Sequence, residues 1–138
     1  MEKHVPNLLI AYQDGPNGLK DLSSALKERF AKLAKVHLRP ASELAITEIL
    51  AADAYLFAVS DIGAPVWGEL RRVAPGINLA DRSAGFVGPA AEGSAFRAIF
   101  AASELRFPVS DLEPARTPPA SPNFEAWCAS FEPALAAR

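Results

Sequence analysis

Cysteine is almost absent from this chain of 138 residues, where Cys128 stands alone. A single thiol forms no intramolecular disulfide and no multi-cysteine metal site, and a lone cysteine in an apparent helix reads as packing. Histidine is nearly as scarce. His4 and His37 lie far apart and make no metal-ligand pattern, and neither Gly-x-Ser-x-Gly nor His-Glu-x-x-His occurs, so metal and hydrolase chemistry have no support. Nor is there an excess of positive charge: 14 basic against 16 acidic residues give a formal charge of -2, without a Lys/Arg cluster. A phosphate-tracking nucleic-acid surface needs such a cluster, so no nucleic-acid partner is expected. Long hydrophobic runs are missing as well. Leu8 to Tyr12 is too short for a signal-peptide core or a membrane span, and the expectation is a cytoplasmic protein without a membrane partner.

What is present is core material. Half of the residues are hydrophobic and 22% are charged, the balance of one globular domain able to fold unaided. The most informative stretch runs from Ala54 to Val73. Ala54 to Val59 shows no polar alternation, as in a strand covered on both faces at the centre of a parallel sheet. Ligands in such sheets bind just beyond the carboxyl end of the strand, which directs attention to Ser60 to Trp67.

Along the chain, Leu8 to Tyr12 reads as a first strand, followed by the turn-forming cluster Asp14-Gly15-Pro16-Asn17-Gly18. Leu19, Leu22, Leu26, Phe30 and Leu33 recur at helical spacing, with Lys20, Lys27, Glu28 and Lys32 on other faces. Val36 and Leu38 alternate with His37 and Arg39 up to Pro40, an edge strand. Ser42 is the expected N-cap of a second helix carrying Leu44, Ile46, Ile49 and Leu50. Gly68 opens a short helix that Pro75-Gly76 breaks, and Ala84 to Val87 is a fourth strand ended by Gly88-Pro89. A helix through Phe96, Ile99, Phe100 and Leu105 and a fifth strand over Arg106 to Val109, with the edge marker Pro108, come next.

Glu113 to Pro122 holds four prolines in ten residues and is read as a stiff surface connection. Ser121-Pro122 then caps a terminal helix through Phe124, Trp127, Cys128 and Phe131, which Pro133 should kink or end early. This alternation predicts an α/β fold: a three-layer αβα sandwich around a doubly wound, parallel, five-stranded sheet in the order 2-1-3-4-5.

At the end of the third strand stands Val59-Ser60-Asp61-Ile62-Gly63-Ala64, followed a few residues on by Gly68-Glu69-Leu70-Arg71. On these residues the chain resembles the flavodoxin-like superfamily, closest to its NAD(P)H-dependent FMN reductase and quinone reductase branches, over essentially its whole length (1–138). In those families strand three ends near Thr-Pro-Glu-Tyr-Asn-Gly and is followed by Gly-x-Leu-Lys, a pattern on which the two segments fall without a gap. The resemblance implies FMN as cofactor, bound by three loops after strands one, three and four. The residues it assigns to FMN are Gln13, Asp14, Gly15, Asn17, Gly18 and Lys20 in loop one and at the following helix start; Ser60, Asp61, Ile62, Gly63 and Trp67 in loop two; and Gly88, Pro89, Ala90 and Gly93 in loop three, which spans 88–94. It also implies NAD(P)H or a redox protein as partner, and a homodimer across the flavin site.

Phosphate recognition in such a site uses backbone N–H groups at a helix N-terminus. Loop one departs from the family pattern: residues 13–18 carry no Ser or Thr hydroxyl, Asp14 adds negative charge, and Pro16 lacks a donor. Ile62 stands where the family places a ring-contacting aromatic. Asp61 serves a flavin or is an ordinary loop aspartate, and Trp67 shields the flavin or belongs to the core. Arg71-Arg72 meets a dinucleotide phosphate or is a solvated helix face.

Three functions follow. The first is an FMN-binding redox protein, either an electron carrier or an NAD(P)H-dependent flavin/quinone reductase. Such a protein requires no catalytic side chain, because the flavin carries the chemistry. The second is a flavodoxin-fold domain that has lost FMN and acts as an interaction or regulatory module. The third, a receiver-type phosphoacceptor, rests on Asp14 and Asp61 after strands one and three. Gly88 and Ser110-Asp111 do not supply the hydroxyl and lysine of that family.

Overall fold

The computed structural model describes residues 5–15, 18–114, 117–119 and 121–136. Four parallel strands form one sheet: β1 (Asn7–Tyr12), β2 (Lys35–Pro40), β3 (Ala54–Ala58) and β4 (Ser83–Val87), in the spatial order β2-β1-β3-β4. Five α-helices are described: α1 (Leu19–Phe30), α2 (Ile46–Ala51), α3 (Gly68–Val73), α4 (Ala90–Ile99) and α5 (Pro122–Ala136). Among the described residues no helix is long and apolar enough to cross a membrane.

The apolar run of β3 is buried on both faces because side chains alternate across a strand. Ala54, Leu56 and Ala58 join Leu8, Ile10 and Tyr12 of β1 beneath α1 and α5. Tyr55, Phe57 and Val59 face the other way, with Leu9 and Ala11, under α2, α3 and α4. The sheet is thus the middle of three layers. On the α5 side, Gly85 allows Trp127 to approach the sheet: a Cβ there would stand 2.8 Å from Leu56 Cδ2 and 2.9 Å from Trp127 Cη2. Trp127 stacks on Phe131 at 5.7 Å between centroids and donates from Nε1 to the Ser110 carbonyl at 2.7 Å.

Several sequence expectations are corrected. The fifth strand does not form among the described residues. Arg106 and Leu112 bridge to Ser83 and Val87, but the six-residue advance of this segment is matched by only four on β4, and Pro108 has no N–H for a ladder. The segment covers the edge of β4 at its two ends only. α1 stops at Phe30, and Leu33 is 44% exposed, because the chain tightens through Leu33 and Ala34 N–H bonds to the Phe30 carbonyl before Lys35 enters β2. Ser42 caps nothing; α2 begins later, where the Ala45 N–H donates to Glu48 Oε1 at 3.1 Å. Leu50 is exposed.

The terminal helix starts as expected, with Ser121 Oγ accepting from the Phe124 N–H at 3.2 Å. It then continues through Pro133 to Ala136, with Phe131 and Leu135 buried on either side of the proline. That burial outweighs the one helical hydrogen bond a proline removes.

Cys128 is completely buried in the α1/α5 layer, and burial pushes its thiol from an ordinary 9.0 up to about 12. The unfolded thiol ionises first, so the stability this residue contributes is complete below pH 9.0 and is lost as the pH rises toward about 12. Native protein at neutral pH should therefore resist iodoacetamide and gain one adduct only after denaturation, as intact mass would record.

Candidate functional site

Strands β1, β3 and β4 end together, with Tyr12, Ala58 and Val87 in register at the carboxyl rim. The chain order reverses between β1 and β3, which makes this the switch point where open α/β sheets place ligands. A cavity of about 580 Å³ opens there, lined by Leu19, Val59, Ser60, Pro89, Ala90, Glu113 and Pro114. Its size falls within the range of about 300–1,000 Å³ usual for small-molecule sites. Five of the seven lining residues are apolar, and Glu113 is the ionisable one.

The start of α1 forms one wall. Gly18 is its N-cap, with φ 75° and no side-chain capping bond of its own. The left-handed φ explains why glycine stands at this turn. Lys20, on the same turn, is exposed. The Asp14 carboxylate accepts from Ser42 Oγ at 2.7 Å and is thereby tied to the turn after β2. Gly15 and Asp14 are exposed, and Asn17 lies outside the described residues.

Loop two is held from three sides. The Gln13 Oε1 atom accepts from the N–H groups of Ser60 and Asp61, both at 3.0 Å, and from Trp67 Nε1 at 2.9 Å. Glu92 Oε1 takes the Ile62 N–H at 2.8 Å, while Arg71 donates to the carbonyls of Ile62 at 2.5 Å and Ala64 at 2.9 Å. Asp61 Oδ1 accepts from the Gly63 N–H at 2.9 Å, the local turn that aspartate commonly makes in loops. Trp67 is wholly buried and meets Phe96 edge-on at 6.3 Å, so its ring belongs to the core and not to the rim. Ile62 is buried with it.

Loop three is shorter than expected. Pro89 is the N-cap of α4 and helix begins at Ala90, leaving Gly88-Pro89 as the connection. Gly93 therefore sits within α4, where a side chain would collide with the Asp111 carboxylate that pairs with Arg97 at 2.5 Å. Of the residues expected from the sequence, Ser60, Pro89 and Ala90 line the cavity; Gln13, Ile62 and Trp67 brace its surroundings from inside. Leu19, Val59, Glu113 and Pro114 line it unanticipated. The last two open the proline-rich connection, whose composition signalled stiffness but gave no sign that its first residues reach the rim.

No protein-family profile matches the chain, and no curated protein matches it. Solved structures do. A flavodoxin from Streptococcus pneumoniae TIGR4 superposes with a TM-score of 0.73 at 15% identity, over 95% of this chain and 98% of the other. A short-chain flavodoxin associated with a non-canonical PDU bacterial microcompartment gives 0.74 at 15% identity, covering 95% and 97%. A variant of Fusobacterium nucleatum flavodoxin, bound to flavin mononucleotide, gives 0.64 at 9% identity, covering 96% and 92%. These likenesses establish the class: the chain has a flavodoxin-like fold.

Proposed function

We propose that this chain binds FMN in the rim cavity and serves as an electron carrier. The observation that carries the reading is the position of the cavity, at the strand-order switch point and against the N-terminal turn of α1. The residues present fit the group. The α1 start, with Lys20 beside it, would hold the phosphate through backbone N–H groups and the positive end of the helix dipole. Val59, Ser60, Pro89, Ala90 and Pro114 would line the ring with small and apolar surface and keep water from it. Bound flavin supplies one- and two-electron redox chemistry.

A carrier is favoured over an NAD(P)H-dependent reductase by the arginines of α3 and α4. Arg71 is bonded to loop-two carbonyls, Arg72 to Glu69 and Arg97 to Asp111, so each guanidinium is already engaged rather than open to a dinucleotide phosphate. A cofactor-free interaction module is the second reading. It is favoured by the hydroxyl-free loop one and by the capture of the Ser60 and Asp61 N–H groups by Gln13.

Fluorescence titration separates the two. FMN emission should quench saturably with stoichiometric endpoint, and Lys20→Glu should weaken FMN binding roughly threefold to tenfold, the scale of one or two exposed charge contacts. Riboflavin, which lacks the phosphate, should be indifferent to that substitution. Unquenched emission at high protein concentration would remove the FMN reading and leave the module.

A further inference from the structure

Gln13 is the first residue of loop one, yet it is bound to loop two and the end of β3. Its N–H donates to the Ala58 carbonyl at 2.8 Å, and its side-chain oxygen gathers the Ser60 and Asp61 amides and the Trp67 indole. Only 9% of the residue is exposed, so this is a buried polar hub rather than a surface contact. A carbonyl oxygen has two lone pairs, and three donors converging on one use its acceptor capacity fully. That oxygen has nothing left to offer a ligand.

The geometry points to Gln13 as a positioning residue: its oxygen clamps the first residues of loop two to β1 and so sets Ser60 as a wall of the cavity, without touching what binds there. This rests on the FMN reading. The clamp joins the two sides of the site, because loop one leads from Gln13 to the α1 start while loop two leads from Ser60 to buried Trp67. Without the acceptor, two amides and a buried indole N–H lose their common partner, and the loop must rearrange to satisfy them. The Ile62 contacts to Glu92 and Arg71 hold the middle of the loop and do not replace the anchor at its start.

Two variants and two readouts test this. Gln13→Met removes the acceptor at similar length; Gln13→Glu keeps an oxygen that accepts from the same three donors. In the flavin-free protein, Gln13→Met should speed hydrogen exchange at the Trp67 indole and the Ser60 and Asp61 amides, and Gln13→Glu should restore protection. FMN affinity should fall about tenfold in Gln13→Met, the scale of one lost buried hydrogen bond, and return to within about threefold in Gln13→Glu. The bound flavin's visible spectrum should change with the first variant and recover with the second, which loss of global stability alone would not produce. Faster exchange with unchanged FMN affinity would overturn the positioning role while leaving FMN binding intact. Wild-type protein that protects these N–H groups but binds no FMN would overturn both.

Discussion

Phe96→Ala should lower the unfolding free energy by about 3–5 kcal/mol, the usual cost of truncating a buried phenylalanine. Phe96 is fully buried at the centre of an aromatic cluster, with ring centroids 4.9 Å from Phe57, 5.2 Å from Phe100 and 5.4 Å from Phe86. It also meets Trp67 and Phe107, both at 6.3 Å. The cluster joins α4, β3, β4 and the segment covering the edge of β4, so the void would have walls on several elements and little freedom to collapse. A domain of this size has a total stability of roughly 5–15 kcal/mol, which leaves the variant marginal. Urea unfolding followed by tryptophan emission would measure the loss, and a change of less than about 1 kcal/mol would contradict this account of the core.

Gly88→Ala should cost about 3 kcal/mol or more, combining overpacking with backbone strain. Gly88 has φ 155°, and a Cβ would run into the Val59 carbonyl oxygen and stand 3.1 Å from the Phe86 ring. The oxygen cannot swing aside, since it is backbone and Val59 donates its own N–H to Val87 at 2.8 Å. The Gly88 N–H is bonded to the Leu112 carbonyl at 2.9 Å, so the same residue fastens the covering segment to the rim. A shift here moves Val59, Pro89 and the approach of Glu113 together, and all three line the cavity. FMN binding should therefore fall with stability. Calorimetry and flavin titration on one preparation would check both, and a variant of wild-type melting temperature would refute the close-approach argument.

How far the residues alone revealed this architecture depended on which physical signal each segment carried. The central strands were legible because a run such as Ala54 to Val59 has no polar member and must be covered on both faces. The α1 face through Phe30 was equally clear from its spacing, but periodicity did not mark its end, and Leu33 continued the pattern after the helix had stopped. The fifth strand failed for a reason visible only in three dimensions: a mismatch in residue count against β4, which prevents continuous pairing. Likewise, Pro133 carries a strong local preference to end a helix, and burial of the residues around it overrides that preference.

The site followed the same division. That a switch point, and with it a cavity, would lie at the ends of β1, β3 and β4 could be read from strand order, a topological property. Which side chains face the cavity could not. Trp67 and Ile62 stand at positions that suggested ring contacts, yet both turn inward, because a loop that must pack on the sheet buries its largest apolar groups. Gln13 was expected in loop one as a cofactor contact, and its bonds to loop two depend on side-chain direction, which no motif encodes. Glu113 and Pro114 reach the rim from a distant part of the chain, through the Leu112 bridge to Val87.

The most direct test of the central claim, that the rim cavity is the flavin site, is an amide chemical-shift map recorded as FMN is added to the folded protein. Saturable shifts should concentrate at Leu19, Ser60, Ala90 and Glu113, with little movement at the opposite end of the sheet. An unchanged spectrum, or shifts confined to the groove of Leu33, Ala129 and Ala136, would contradict it.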